Sequence, residues 1–126
     1  MRAIDTNVVV RLLARDDARQ TAAADQFVAR GAWVSLIVLI ETVWVLGSVY
    51  EMKTQALATA IEMLLDHEHL TVQDADVVAK ALVRFKHAPQ VGFSDCLVLE
   101  LARKAGHLPL GTFDRALARI EGAERL

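Results

Sequence analysis

One cysteine in 126 residues leaves nothing for Cys96 to pair with inside the chain, which excludes an internal disulfide and fits a reducing compartment. Bulk positive charge is missing too. Fourteen Lys and Arg against sixteen Asp and Glu give a formal net charge of -2, so any contact with nucleic acid has to rest on local arginines and a bound cation. The first residues show no basic-then-apolar leader, and the expectation is a cytoplasmic protein. A membrane span is not expected either: residues 33–50 carry only Glu41 as a charge, but Ser35, Thr42, Gly47 and Ser48 dilute a run already at the short limit for a bilayer. That run reads as a core element. Repeats, linkers and low-complexity tracts are absent. With 54% hydrophobic residues and a mean hydropathy of +0.31, residues 1–126 are expected to form a single domain with ample material for a core.

What is present alternates in type. A short apolar strand at the start runs into Asp5-Thr6-Asn7, and lacking any lead-in it is expected to be buried. Val8, Val9, Leu12 and Leu13 recur at helical spacing behind Asn7 as N-cap, and Asp16-Asp17 opens a helix with Ala23, Ala24, Phe27 and Val28 inward, closed by Gly31. Trp33–Ser35 is a second strand. Leu36 to Gly47 is a helix apolar nearly all round and therefore buried. Leu57, Ile61, Leu64 and Leu65 mark the next helix, and Leu70–Val72 a third strand. Asp74 then caps a helix with Val77, Val78, Ala81, Leu82 and Phe85 inward, and Pro89–Gly92 is a loop. Ser94 caps a helix running to Lys104, followed by strand Pro109–Thr112, a short helix Arg115–Ile120, and a last edge strand at Ala123–Leu126. Strands separated by helices predict an α/β fold, a central parallel sheet of four to five strands with helices on both faces.

Such a sheet collects strand carboxyl ends along one edge, where ligands bind. Asp5 ends the first strand, Glu41 lies in the helix after the second, Asp95 begins a helix and Asp114 follows the fourth strand. Each has a bland alternative, Asp5 and Asp114 as turn or cap residues, Asp95 as a first-turn carboxylate and Glu41 as an internal ion-pair partner, though no cap role explains the mid-helix burial expected of Glu41. Two carboxylates ~4 Å apart repel by roughly 4 kcal/mol at an effective dielectric of about 20, so a meeting of all four calls for a divalent ion or raised pKa values. An all-oxygen set without neighbouring Cys or His favours Mg²⁺ or Mn²⁺.

Asp5-Thr6-Asn7, Glu41-Thr42-Val43-Trp44-Val45-Leu46, Phe93-Ser94-Asp95-Cys96-Leu97 and Thr112-Phe113-Asp114 resemble, in order and over essentially the whole chain, the four acidic motifs of PIN-domain ribonucleases. Size and spacing resemble in particular the VapC-type toxins of toxin-antitoxin pairs. Two positions depart from the pattern, Ser94 and Cys96 standing where many relatives have alanine. The resemblance implies an α/β/α sandwich and a Mg²⁺- or Mn²⁺-dependent endoribonuclease. It implies Asp5, Glu41, Asp95 and Asp114 as the catalytic, metal-holding cluster, with Thr6 and Thr112 as supporting hydroxyls. It also implies RNA as substrate, a small cognate antitoxin as partner, and a homodimer.

Arg11 and Arg15 follow Asp5 by one helix, and Arg115 and Arg119 follow Asp114; each pair is four apart and placed either to hold RNA phosphates or to form an ordinary solvated face. His67 and His69 read as surface residues, Trp33 and Trp44 as core or interface anchors, and Cys96 as core filler. A receiver-like regulator would want a Lys ending its last strand, where Thr112-Phe113-Asp114-Arg115 has none. A dehalogenase-type phosphatase would want an acid at Asn7. The alternative that shares the fold is a catalytically silent PIN-like module binding RNA or protein.

Overall fold

Parallel strands can pair only through crossovers, and the first three do so through helical connections. β1 (Arg2–Ala3) pairs with β2 (Ala32–Val34), and β2 with β3 (Leu70–Val72), all parallel, with Arg2 opposite Ala32 and Ala32 opposite Leu70. The Ile4 amide donates to the Trp33 carbonyl at 3.1 Å, which carries the ladder one residue past β1 and delivers Asp5 at its carboxyl end. The structure, a computed structural model, describes residues 1–126, and the chain divides into two compact units, residues 1–75 and 76–126.

In the first unit, α1 (Thr6–Ala14) and α2 (Ala18–Val28) bring β1 round to β2, and α3 (Leu36–Ser48) and α4 (Thr54–Asp66) bring β2 round to β3. The N-cap of α1 is Asp5 and not Asn7: its carboxylate accepts from the Val8 amide at 3.3 Å. The shift by two residues follows from the ladder, since the chain stays extended through Asp5 and turns helical at Thr6. α2 is capped by Asp17, as the Asp16-Asp17 pair predicts.

Two expectations of burial fail here. β1 is an edge strand, and Arg2 and Ala3 are exposed; only Ile4 is buried. α3 is not buried all round. Its inward stripe is Leu39, Thr42 and Leu46, whereas Ile37 is 73% and Trp44 67% exposed, and Glu41 lies on the same outer face. An apolar composition cannot reveal sidedness when the outer face is itself apolar, so the helix has a surface the hydropathy pattern hides. The Thr42 hydroxyl, fully buried, is satisfied by the Val38 carbonyl at 2.7 Å.

The second unit begins within α5 (Ala75–His87), which buries Val77, Val78, Ala81, Leu82 and Phe85, and continues through a 3₁₀ turn, Pro89–Val91, into α6 (Phe93–Ala105). Phe85 meets Phe93 edge-on with ring centroids 6.0 Å apart. β4 (Leu110–Thr112) and β5 (Ala123–Arg125) flank α7 (Arg115–Ala118), shorter than the Arg115–Ile120 expected from sequence, and pair in parallel with Gly111 opposite Glu124. The fold is thus α/β with parallel strands, but they pair as three and two and not as one sheet of four to five. No helix is long and apolar enough to cross a membrane.

The two faces of α3 separate in mutagenesis. Leu39→Ala, which empties a fully buried site, is expected to lower the unfolding free energy by about 2–5 kcal/mol in a urea titration. Ile37→Ala, on the exposed face, is expected to stay within about 0.5 kcal/mol of wild type.

Candidate acidic site

The acids anticipated as one cluster are shared out two to each unit. In the first unit, Asp5 spends one carboxylate oxygen on the Val8 amide at the start of α1. The adjacent Thr6 hydroxyl, already in the first turn, donates to Glu41 Oε2 at 3.3 Å. Glu41 owes its place to the start of α3. The Ser35 hydroxyl accepts from the Val38 amide at 3.1 Å and the Gln73 side chain accepts from the Leu36 amide at 2.9 Å, so the helix that carries Glu41 is pinned by a residue just beyond β3. Nothing in the sequence signals this role for Gln73. Because Glu41 and Asp5 are exposed, the expectation that Glu41 is a stranded buried charge is wrong; burial does not compel a counter-ion there.

The second unit holds the other two acids, Asp95 and Asp114. Gly92 precedes α6 with φ of +85°, a conformation that L side chains rarely adopt, and it is the N-cap in place of the expected Ser94, which sits inside the first turn. No side chain caps this end, so the positive pole of the α6 dipole faces Asp95 in its first turn and favours the ionised carboxylate. Even so, the Asp95 carboxyl is held above its ordinary value of 3.8, first by burial and then by the negative charge of Asp114.

Asp114 reaches that position through two short-range bonds. The Thr112 hydroxyl oxygen accepts from the Asp114 amide at 3.0 Å, and Asp114 Oδ1 accepts from the Leu117 amide at 2.8 Å, capping α7. Between them the Phe113 ring is exposed. One oxygen of Asp114 is thus committed to the helix, as one oxygen of Asp5 is. Cys96, next to Asp95, is fully buried, and burial pushes its thiol up to about 11, which excludes it as a nucleophile at neutral pH.

The four arginines expected near the acids differ in engagement. Arg11 is occupied inside the first unit: Nε donates to Gln20 at 2.6 Å, and Nη1 reaches Asp16 at 3.2 Å and the Tyr50 hydroxyl at 3.1 Å. Tyr50 in turn donates to Asp16 at 2.8 Å. Arg15 grips Asp25 with a fork of 3.1 and 2.8 Å. Arg115 and Arg119 are exposed beside Asp114. His67 and His69 face each other at 5.8 Å, half-exposed, and His69 pairs with Glu68.

Neither unit by itself assembles three acidic, His or Cys side chains at metal-ligand spacing. The chemistry of the donors nonetheless suits a hard cation. Asp95 and Asp114 repel each other, all donors are carboxylate oxygens, and two of the four are oriented by helix caps. Parallel strands joined by helices, with acids at a strand end and at helix N-termini, define the class of the fold, an α/β domain with an acidic edge. Within that class the family is settled by comparison: the model of the PIN domain matches residues 3–123, and the chain belongs to the PIN domain family. PIN domains are typically metal-dependent nucleases. Among curated proteins nothing matches the sequence.

A raised carboxyl pKa has a sign that can be checked. The folded state binds the Asp95 proton more tightly than the unfolded chain does, so ionised Asp95 weakens the fold as pH rises above its ordinary value of 3.8 and through the raised one. Without added metal, Asp95→Asn is expected to raise Tm at pH 7, with the gain vanishing below about pH 3.8, where the carboxyl is protonated in both states. Thermal melts across pH, run in EDTA, measure this.

Proposed function

We propose that this PIN domain, residues 1–126 acting as one domain, is a Mg²⁺- or Mn²⁺-dependent endoribonuclease and the toxin of a toxin-antitoxin pair working in the cytoplasm. The observation that carries the reading is the placing of Asp95 and Asp114 at the starts of two helices, where Asp95 is half-buried and held above its ordinary value first by that burial and then by the charge of Asp114. Membership of a family of nucleases supports joining Asp5 and Glu41 to that pair as a single catalytic set. The four motifs, which resemble those of VapC-type toxins, support the toxin assignment.

In this mechanism Asp5 and Asp95 would hold the ion, and Glu41 and Asp114 would hold the waters beside it. When bound, the ion supplies Lewis-acid polarisation and neutralises charge developing on the phosphodiester. The chain's own residues do the rest. Helix caps at Asp5 and Asp114 fix which oxygen of each carboxylate is free. Thr6 orients Glu41, and the Thr112 hydroxyl holds the backbone that carries Asp114. As water attacks phosphorus in line and the P–O bond to the leaving nucleotide breaks, a free carboxylate oxygen of Glu41 or Asp114 accepts the water's proton. Arg115 and Arg119, exposed beside Asp114, are available to phosphates in a way that Arg11 and Arg15 are not.

The partners proposed are a small cognate antitoxin and a second copy of the chain. Ile37 and Trp44 on the outer face of α3 support them, because large exposed apolar side chains on one helix face are the surface that protein partners cover.

Purified protein incubated with total cellular RNA in Mg²⁺, Mn²⁺ or EDTA, with cut ends mapped by sequencing, tests the reading. Discrete cuts that need the divalent ion are expected, and Asp95→Asn is expected to reduce them by roughly 10²-fold or more. Absence of cuts under every condition would favour the catalytically silent binding module.

A further inference from the structure

The acids supply chemistry but no affinity for a polyanion, and the chain's net charge of -2 makes the location of any unneutralised cations informative. In the first unit the arginines of the helix after Asp5 are already matched, Arg11 by Asp16 and Arg15 by Asp25. The second unit differs. A cavity of about 450 Å³ on it is lined by Lys80, Val83, Arg84, His87 and Glu100. Lys80, Arg84 and His87 are spaced i, i+4 and i+7, one face of α5. The one acid in the lining, Glu100, is buried and already bonded to Arg103 Nε at 2.9 Å, so it does not cancel the cations of α5. His87 Nδ1 lies 2.8 Å from the Val83 carbonyl; with Nδ1–H donating there, Nε2 is the nitrogen free to face a ligand.

Complementing the α5 dipole explains basic residues in its last turn, Arg84 and His87 among them. It does not explain Lys80, more than a turn earlier, or a cavity that all three share. Glu100 also stands five residues after Asp95 on α6, about 7.5 Å along the axis at 1.5 Å per residue. The lining is therefore within a few nucleotides' reach of an acid at the proposed centre.

We propose that this cavity is a phosphate-backbone subsite for single-stranded RNA, in which Lys80, Arg84 and His87 hold the strand whose cleavage Asp95 serves. The inference rests on the nuclease reading and names where the substrate is gripped. Phosphate contacts of this kind are independent of sequence and give a measurable dependence on salt.

The test is the binding of a labelled single-stranded RNA to full-length Asp95→Asn protein, by fluorescence anisotropy over a range of salt concentrations. Lys80→Ala/Arg84→Ala is added in that background, Lys53→Ala serves as control, and wild-type cleavage is assayed in parallel. The double variant is expected to weaken binding about tenfold and to flatten the plot of log K against log salt by about 1.4, from ~0.7 for each phosphate no longer neutralised. Lys53→Ala is expected to change neither, and matching circular dichroism spectra would establish that the variants fold. Unchanged affinity and slope beside an active wild type would overturn the subsite and leave the nuclease reading standing. Displacement of RNA by millimolar inorganic phosphate at constant ionic strength would overturn it in favour of an isolated-anion site. A wild type that neither cuts nor binds RNA would overturn both.

Discussion

A carboxylate that caps a helix has given up its freedom to rotate, and much of the candidate chemistry here depends on that loss. Asp5 and Asp114 each bond a backbone amide three residues on, at the first turns of α1 and α7. In both cases the bond stabilises the local fold and also aims the second oxygen. Cap and ligand are therefore complementary roles for one residue. The bland reading of these acids, as helix caps, holds for one oxygen of each side chain, and the proposed role concerns the other.

Asp95 stands apart because no bond of this kind holds it. It is placed by backbone, through the left-handed Gly92 and the open N-terminus of α6, and its environment works against its charge. Burial and a second acid make the ionised form unfavourable where the helix dipole favours it. A side chain kept in that conflict is suited to a cation, which removes the repulsion without moving the helix.

The order of strands and helices is legible in the sequence because it rests on periodicity: Leu70–Val72 falls where the pattern puts it, and α3 and α6 agree to within a residue or two at each end. Caps are less legible. Asn7 and Ser94 are good N-cap types, but Asp5 and Gly92 hold those positions, since a cap is decided by where the preceding segment releases the chain. Sidedness is the larger loss. The apolar neighbours of Glu41 suggest burial, yet it shares the outer face of α3 with Ile37 and Trp44, and no hydropathy pattern separates an apolar surface from a core. Of the site, the acids and the two threonines are visible as motifs. The contribution of Gln73, thirty-seven residues from the amide it caps, is not. Nor is the engagement of Arg11 by Tyr50 at 3.1 Å, which shows why helical spacing alone cannot say whether an arginine is free.

Cys96 carries a different consequence. Its thiol is wholly enclosed, and with a pKa of about 11 it is almost entirely protonated near neutral pH, so two barriers separate it from an alkylating reagent. Labelling of the native protein then requires the packing around α6 to open, and the rate of modification becomes a clock for that opening. The chain thus contains, one residue from Asp95, its own chemical gauge of how often this part of the molecule breathes.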